Sequence, residues 1–374
     1  MERVRIAMIG YRFMGRVHAH AYRTVHHFFP DCPKPELDLL VGRDEAALKQ
    51  AAQQLGFKRW STDWRAAVAD PQIDAVDISS TGKNHCEVAL AAAAAKKHVI
   101  CEKPLANTLG EAREMVQAVE KAGITNMTAF NYRRVPAVSF AKRMIEEGRL
   151  GRIYHFRARY LQDWILDPQF PLVWRLQADQ AGSGPHGDLN AHLIDLSRYL
   201  IGEIESVCGM KETFIHERPT VDGKGRGKVS VEDAALFLAR FQGGALGSFE
   251  ATRFAAGRKN HLTWEINGEH GSLEFDLERL NELRFYSNED RATERGFRRI
   301  YVTEGQHPYV AAWWPPGHIL GYEHTFTHEV LDFLRAVRDG KAVSPDFRDG
   351  LRCQAVLDAV LRSTTTGAWE SCAS

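Results

Sequence analysis

The fold is set by an N-terminal segment that reads Val4-Arg5-Ile6-Ala7-Met8-Ile9-Gly10-Tyr11-Arg12-Phe13-Met14-Gly15. Its first residues are mostly apolar, as in a buried strand, and a helix is predicted from Arg16 onward. Gly10 allows a tight turn directly off the strand, and Gly15 allows the helix to pack close to the sheet. Backbone N–H groups at the start of such a helix face a dinucleotide pyrophosphate. The segment therefore predicts a nucleotide-binding strand, turn and helix.

The turn departs from the complete G-x-G-x-x-G pattern, because Arg12 stands where the middle glycine belongs. A side chain there restricts the approach of the backbone to the pyrophosphate. Either Arg12 turns outward or its charge contacts phosphate directly. The candidate cofactor contacts in this turn are Gly10, Arg12, Phe13, Met14 and Gly15.

Length and composition are those of an ordinary globular protein of two domains. The chain has 374 residues, of which 44% are hydrophobic and 26% charged, and its formal net charge is zero. Nothing in this balance indicates a nucleic acid or an acidic membrane surface as a partner. No apolar run is long enough to span a bilayer, no signal peptide is recognised, and the six cysteines are scattered. We expect reduced thiols and a cytoplasmic location.

The order of predicted elements indicates an α/β protein. Strands and helices alternate to about residue 130, which predicts an N-terminal Rossmann domain with a doubly wound parallel sheet over residues 1–130. From residue 131 to 374 we predict an α+β domain with a large, mainly antiparallel sheet that binds substrate and forms the oligomer. The last two predicted helices, Glu323–Arg338 and Asp349–Arg362, are candidates to pack back on the first domain.

The end of the second predicted strand leaves the choice of nucleotide open. An NAD site usually places a carboxylate there to accept from the ribose hydroxyls. Here the chain reads Gly42-Arg43-Asp44. Arg43 can pair with the 2′-phosphate of NADP, which favours NADP, or it is a solvated surface residue. Asp44 is close enough to serve the ribose of NAD instead.

Two further segments contain candidate catalytic groups. Glu102-Lys103-Pro104 follows a predicted parallel strand, at the sheet edge where ligands bind, although an ordinary loop lysine also fits. In Gly182–Asp195, a helix opened by Asp188 puts His192 one turn further on the same face. A carboxylate beside an imidazole is a tunable acid–base pair, whereas a capping aspartate and a core histidine are the more common arrangement.

A third group of side chains suits a polyhydroxylated ring, because aromatic faces stand beside amide and carboxylate groups. A strand end with packed tryptophans is the alternative interpretation. The candidate substrate contacts are Tyr160, Gln162 and Trp164, with Trp174 and Arg175 further along the chain.

Together these segments resemble the Gfo/Idh/MocA family, and the resemblance covers nearly the whole chain. The finer resemblance, in the residues around Tyr160 and Arg253, is to the sugar-oxidising branch near levoglucosan dehydrogenase. The matching motifs are the N-terminal turn, Thr81 with Asn84-His85, Cys101–Ala106, Asn131-Tyr132-Arg133, Gly182–Asp195 and Val231–Ala234. The chain departs from the family pattern at Arg12, at Gly82 (often a proline) and at His186.

The resemblance implies a Rossmann domain, a second domain with an open-faced sheet, and homodimers or homotetramers formed through the sheet faces. It implies that Lys103 polarises the reacting oxygen, that His192 is the general base and that Asp188 orients it. Tyr132 joins the candidate substrate contacts, and the Lys103-Pro104 bond is expected to be cis. His186, which departs from the family pattern, is a further candidate substrate contact that can alter substrate choice or proton transfer. The residues implied to line the cofactor are Gly10, Gly15, Thr81, His85, Glu102 and Lys103.

The expected function is an NAD- or NADP-dependent dehydrogenase that oxidises a secondary hydroxyl of a sugar, anhydrosugar or inositol. Two alternatives remain at this point: a glycosidase or lyase that uses NAD for transient oxidation, and a non-catalytic nucleotide-binding sensor. No metal is expected, because neither His18/His20 nor His324/His328 has a third ligand at a diagnostic spacing. The loop Trp313-Trp314-Pro315-Pro316 is rigid in composition and has no assigned role.

Overall fold

The computed structural model describes residues 2–373. The chain forms two compact units. The first contains the residues up to Arg134 together with Gly321–Leu351, and the second contains Val135–Leu320 together with the chain from Arg352 onward. Each unit has its own sheet.

The first unit begins with alternating strands and helices. In chain order these are β1 (Arg3–Ile9), α1 (Phe13–Phe28), β2 (Lys34–Val41), α2 (Glu45–Leu55), β3 (Arg59–Ser61), α3 (Trp64–Ala69), β4 (Ala75–Ile78), α4 (His85–Ala94), β5 (His98–Glu102), α5 (Leu109–Ala122) and β6 (Asn126–Ala129). The six strands are all parallel and lie in the order β3-β2-β1-β4-β5-β6. This is the strand order of a Rossmann fold.

Local sequence accounts for most helix ends in this unit. Asp44 caps α2 by accepting from the backbone N–H of Ala47, and Gly56 ends the helix in the left-handed conformation. Thr108 and Glu111 form a capping box at the start of α5. The first helix, however, begins at Phe13 and not at Arg16 as predicted, because the turn after β1 is complete by Arg12.

The second unit is built around a nine-stranded sheet. Its elements, followed by the closing helices, are α6 (Pro136–Glu146), β7 (Ile153–Leu161), α7 (Ala178–Ala181), α8 (Ala191–Ile201), β8 (Ile204–Glu212), β9 (Glu217–Pro219), β10 (Arg226–Lys228), β11 (Ala234–Phe241), β12 (Leu246–Thr252), β13 (His261–Gly268), β14 (Gly271–Asp276), β15 (Glu282–Ser287), β16 (Arg298–Tyr301), α9 (Tyr322–Asp339), α10 (Phe347–Thr366) and β17 (Glu370–Ser371). Helix α9 belongs to the first unit.

The large sheet is mixed, with the order β16-β15-β14-β13-β7-β12-β11-β8-β17. Every pair is antiparallel except β7 with β12. The remaining strands of this unit, β9 and β10, pair with each other in a separate two-stranded antiparallel sheet. The predicted hairpins at Gln242–Gly244 and Gly268–Gly271 join β11 to β12 and β13 to β14. The predicted α/β class, with a parallel Rossmann sheet and a mainly antiparallel second sheet, is therefore confirmed.

The register of β7 with its two neighbours positions the site of the second unit. Leu161 is opposite Thr252 of β12 and also opposite His261 of β13. The strand ends that follow or precede these residues, at Gln162, Arg253 and Asn260, therefore come together at one edge of the sheet. Among the residues from 2 to 373, no helix is both long and apolar enough to cross a membrane.

Candidate functional site

The turn after β1 is tight enough to require its two glycines. Gly10 has a φ of +113°, which side chains rarely adopt, and a Cβ there would lie 2.5 Å from the carbonyl oxygen of Ser79. A Cβ on Gly15 would overlap the carbonyl oxygen of Gly10. Helix α1 is therefore held close to the end of β1, with its N-terminus directed at the carboxyl edge of the parallel sheet.

The start of α1 fits a dinucleotide pyrophosphate. Its capping residue, Arg12, makes no side-chain hydrogen bond to the first turn, and that turn contains no acidic residue. The first N–H groups of a helix have no partner within the helix, and they attract anions. The side chain of Arg12 is exposed and lies beside Phe13 and Arg16 in an open groove. Met14 is half-buried in the same turn.

At the end of β2, the acidic residue caps the next helix, whereas the basic residue is exposed. The Asp44 carboxylate accepts from the Ala47 N–H at 3.1 Å, so that it caps α2. Arg43 is exposed. The Tyr11 ring lies against Gly42, where a Cβ would overlap the ring. A larger residue at this position would displace the Tyr11 ring from the strand end.

Lys103 is half-buried in the loop after β5, and the Lys103–Pro104 peptide bond is cis, as the resemblance implied. His85 fixes this loop from behind. Its Nδ1 lies 3.1 Å from the carbonyl oxygen of Pro104, and its Nε2 lies 3.2 Å from that of Ser80. Burial lowers the pKa of His85, and a neutral ring has a single N–H, so it donates to only one of these two carbonyl oxygens. Thr81 is half-buried and precedes the short 3-10 helix Gly82–Asn84.

Asp188 lies in a π-helical turn, His186–Asn190, and not at the start of an α-helix as predicted. Helix α8 begins only at Ala191, so His192 is one turn after Asp188 on a continuous helical segment. The turn is packed against the Val231–Ala234 segment, where the Glu232 carboxylate accepts from the backbone N–H of His186 at 2.9 Å. π-Helical turns are rare and often occur at functional sites.

His186 lies behind the π-helical turn and is fully buried. Its Nε2 donates to the carbonyl oxygen of Leu357 at 2.9 Å, and its Nδ1 accepts from the Asn190 side chain at 3.1 Å. Burial lowers its pKa to about 4, so the ring is neutral. Both ring nitrogens are used inside the protein, and this arrangement supports the turn instead of offering a contact to substrate.

Asp188 is held by guanidinium groups. Arg253 donates to its Oδ2 at 2.6 Å, and the Arg175 Nε is 3.9 Å from the same oxygen. The guanidinium of Arg253 also stacks over Trp164, and that of Arg175 over Trp174. The two arginines therefore link the Asp188 carboxylate of the predicted acid–base pair to Trp164 and Trp174, which are predicted substrate contacts.

Hydrogen bonds through two side-chain amides connect the remaining predicted substrate contacts. Asn260 Oδ1 accepts from the Tyr160 hydroxyl at 2.7 Å and from the Gln162 amide at 3.0 Å. Gln162 in turn accepts from the Trp164 indole N–H at 2.8 Å. The Tyr160 ring lies 6.0 Å from the His192 ring, centroid to centroid. The second unit therefore brings Tyr160, Gln162, Trp164, Trp174, Arg175, Asp188 and His192 into one continuous patch.

Two members of this patch, Arg253 and Asn260, are not among the site residues that were predicted from the sequence. Both lie just outside strands that flank β7, far along the chain from Gln162. The parallel pairing of β7 with β12 cannot be read from local pattern, because no turn joins the two strands. The one available indication was the resemblance in the Arg253–Arg258 region.

Tyr132, a further predicted substrate contact, belongs to the first unit. It is almost fully buried, in a 3-10 turn over Asn131–Arg134, and its ring contacts that of Tyr322 edge-on at 6.4 Å. Tyr322 also stacks with the exposed ring of Phe13 at 6.5 Å. The aromatic ring of Tyr132 is thus linked through Tyr322 to the nucleotide-binding turn.

One group of three side chains in the part of the chain from 2 to 373 has the composition of a metal site. It consists of His261, Asp276 and Glu278. The His261 Nδ1 lies 3.7 Å from Asp276 Oδ1 and 3.4 Å from Glu278 Oε2, and within residues 2–373 neither of its ring nitrogens has a hydrogen-bond partner. Within the same described residues, this group does not include the histidines considered as metal ligands from the sequence, which are His18, His20, His324 and His328.

Two sequence models of known families match the chain. A model described as an oxidoreductase family with an NAD-binding Rossmann fold matches residues 4–130. A model described as the GFO/IDH/MocA C-terminal domain matches residues 138–274. The two matches fall on the strands and helices that hold the nucleotide-binding turn and the Asp188 patch.

Relatives and solved structures cover the whole chain. Levoglucosan dehydrogenase of Pseudarthrobacter phenanthrenivorans is 43% identical over 99% of this chain and 98% of its own. A solved structure of levoglucosan dehydrogenase in complex with NADH and levoglucosan superposes with a TM-score of 0.97, at 43% identity and full coverage of both chains. An oxidoreductase domain protein from Kribbella flavida gives the same TM-score at 50% identity, also with full coverage of both chains.

Proposed function

The chain belongs to the Gfo/Idh/MocA family of oxidoreductases, and from this premise we propose that it is an NAD-dependent dehydrogenase of an anhydrosugar or a related monosaccharide. The oxidised group is a secondary ring hydroxyl. The observation that carries the proposal is the patch in the second unit, where Asp188 and His192 stand among Tyr160, Gln162 and Trp164. A sensor without catalysis has no need of an acid–base pair beside a polyol-binding surface.

The first unit supplies the cofactor site and one catalytic group. Gly10, Gly15 and the first N–H groups of α1 hold the pyrophosphate, with the neighbouring residues Arg12, Phe13 and Met14 around them. NAD supplies the hydride-accepting nicotinamide when it is bound. Lys103, as an ammonium, stabilises negative charge as it develops on the reacting oxygen of the substrate. Thr81, His85 and Glu102 shape the edge of the sheet around it.

The second unit supplies the general base. An imidazole nitrogen of His192 takes the hydroxyl proton as hydride leaves the same carbon. Asp188 orients the imidazole, and Arg253 fixes the Asp188 carboxylate with a 2.6 Å hydrogen bond. The guanidinium is itself fixed by burial and by stacking on Trp164.

The substrate class follows from the chemistry of the patch. The exposed Trp174 and the half-buried Trp164 offer flat apolar faces, and Gln162, Asn260 and Arg175 offer polar groups around them. Such a surface suits a ring with an apolar face and several hydroxyls. The relative named levoglucosan dehydrogenase makes levoglucosan the first substrate to test.

NAD is the cofactor that we propose, because the matching family model is described as NAD-binding. NADP is a weaker alternative, because Arg43 is exposed after β2 and can pair with a 2′-phosphate. Asp44 is engaged as the cap of α2 and is less suited to the ribose.

The test is the absorbance of reduced nicotinamide, measured with NAD or NADP separately and with levoglucosan, other anhydrosugars, monosaccharides and inositols. We expect turnover with NAD and an anhydrosugar. In Lys103→Ala, kcat falls by about 10²–10³-fold, as for the loss of one group that stabilises an oxyanion, while NADH still binds.

The matched control is Lys341→Ala, which removes an exposed lysine of the first unit and leaves turnover unchanged. Wild-type turnover in Lys103→Ala would refute the role of this lysine. A wild-type protein that retains NAD through purification, yet shows no net reduction with any substrate, would point instead to a hydrolase or lyase with transient oxidation.

A further inference from the structure

Three titratable side chains form a fully buried chain of contacts directly behind Lys103. His18 lies in α1, Asp77 in β4 and Glu102 at the end of β5, all within the first unit. The His18 Nδ1 lies 2.8 Å from the Asp77 Oδ2, and its Nε2 lies 3.0 Å from the Glu102 Oε1. One imidazole therefore bridges two carboxylates inside the parallel sheet and its first helix.

The second oxygen of Glu102 extends this chain to the lysine. The Glu102 Oε2 accepts from the backbone N–H of Lys103 at 3.1 Å. We propose that His18 is a positioning residue for Lys103: it clamps the Glu102 carboxylate between its own ring and the Lys103 backbone. The proposal rests on the proposed function, in which Lys103 polarises the reacting oxygen.

The clamp requires the charged form of the imidazole. Ionised carboxylates only accept hydrogen bonds, so both ring nitrogens of His18 must donate. Burial by itself lowers the pKa of His18, but Asp77 and Glu102 outweigh burial and raise it well above its usual value. Removal of the cation would leave two buried carboxylates without compensation, which proteins tolerate poorly.

The other groups around the clamp are uncharged near neutral pH or lie at its edge. Burial raises the pKa of the Tyr22 hydroxyl and of the Cys101 thiol well above their usual values, and raises that of Glu329 to about 8. Ser79 donates to Asp77 at 2.5 Å. Besides His18, Arg134 is a cation that acts on Glu329, and its Nε lies 3.2 Å from the Asp332 carboxylate.

The clamp fixes the lysine loop at a second point. His85 packs against the loop after Lys103, with its Nδ1 3.1 Å from the carbonyl oxygen of Pro104, and Glu102 accepts from the backbone N–H of Lys103 itself. Because His18 also belongs to the helix whose start holds the pyrophosphate, the clamp ties that helix to the lysine. A displacement of about 1 Å in a reacting group can cost about 10²-fold in rate, so such a tie has a measurable effect.

The test uses the variants His18→Gln, Glu102→Leu and the double variant, with Glu329→Gln as the matched control. Within residues 2–373, neither carboxyl oxygen of Glu329 has a hydrogen-bond partner, although it lies in the same buried cluster. The readouts are kcat and KM for levoglucosan and NAD, and hydrogen exchange at the Lys103 amide followed by mass spectrometry.

We expect kcat to fall by about 10- to 100-fold in His18→Gln, with KM little changed and with faster exchange at Lys103. The double variant should lose no more kcat than Glu102→Leu alone, because both changes break one link. Glu329→Gln should match the wild type in both readouts. Wild-type kcat and wild-type exchange in His18→Gln, or losses that add in the double variant, would overturn the proposal.

A measurement on the unaltered protein keeps the inference testable if His18→Gln does not fold. Nitrogen-15 spectra of the histidine rings at pH 8 should show both nitrogens of His18 protonated, and a neutral ring would overturn the clamp. If the wild type oxidises no sugar, the proposed function fails on its own. The exchange and ring spectra then still decide whether His18 holds the Lys103 backbone.

Discussion

Asp188 contacts two guanidinium groups, but the surrounding protein holds only one of them firmly. Arg253 is 1% exposed and approaches to 2.6 Å, whereas the Arg175 side chain is 35% exposed and lies 3.9 Å away. A solvated ion pair contributes about 0–1 kcal/mol, and the pair of the buried Arg253 with Asp188, whose side chain is 28% exposed, should contribute more than the pair with Arg175. Arg253 is therefore the residue that fixes the carboxylate of the proposed acid–base pair, and we expect the more exposed Arg175 to adapt to substrate.

Glu329 is a fully buried carboxyl group, and its burial favours the protonated form at neutral pH. Burial raises its pKa from 4.5 to about 8. Between these two values the folded protein holds a proton that the unfolded chain releases. This contribution to stability is complete below about pH 4.5 and is lost as pH rises to about 8. Glu329→Gln removes the titration, so the variant should become progressively more stable than the wild type across this range.

The measurement is the free energy of unfolding of both proteins in urea at pH 6 and pH 9. Other titrating groups cancel in the difference between variant and wild type. A difference that is the same at both pH values would show that Glu329 is already ionised in the folded protein.

At the scale of elements, the turn between β1 and α1 shows how closely backbone geometry limits side chains. The helix starts at Phe13 because Gly10 turns the chain within two residues. The pattern of apolar residues located the strand and the helix but placed the helix start three residues late, since a turn has no periodicity. The π-helical turn around Asp188 was missed for a related reason: its geometry depends on packing against Glu232.

Gly15→Ala should disrupt the cofactor site, because the new Cβ would overlap the carbonyl oxygen of Gly10. We expect a loss of about 1–3 kcal/mol in unfolding free energy, as for overpacking, together with loss of NADH binding. Gly110→Ala is the control, since a Cβ in that first turn of α5 meets only the Thr108 side chain at 4.0 Å. It should gain up to about 1 kcal/mol. NADH titration by fluorescence and urea unfolding measure both effects, and wild-type NADH affinity in Gly15→Ala would contradict the assignment of the turn.

At the scale of the molecule, the nine-stranded sheet leaves apolar side chains on one face. Residues of β11 alternate between buried and exposed, and the exposed ones include Leu236 and Leu238. Leu236 lies opposite the exposed Met210 of β8. Contiguous exposed apolar surface of this kind marks an interaction site. We infer that a second copy of the chain covers it, in agreement with the homo-oligomer that the family resemblance implies.

Leu238→Arg should therefore shift the protein from an oligomer to a monomer. The side chain is 55% exposed, so the charge should not disturb the folded unit, but it would be buried without a partner in the interface. Val221→Arg is the control, because this residue is 72% exposed outside the sheet. Light scattering after size exclusion gives the mass, and a wild-type protein that is already monomeric would contradict the inference.

The candidate residues of the patch around Asp188 came from side-chain chemistry and from the family resemblance. The sequence by itself determined the α/β class, the parallel first sheet and the glycine turn after β1. Local signals suffice for these, because periodicity, glycine positions and caps act over a few residues. Only the tertiary structure brought Arg253 and Asn260 to Gln162, buried His186 behind the turn and joined His18 to Glu102. Those contacts join residues far apart in the chain through strand pairing and helix packing, and no local pattern encodes which distant strands become neighbours.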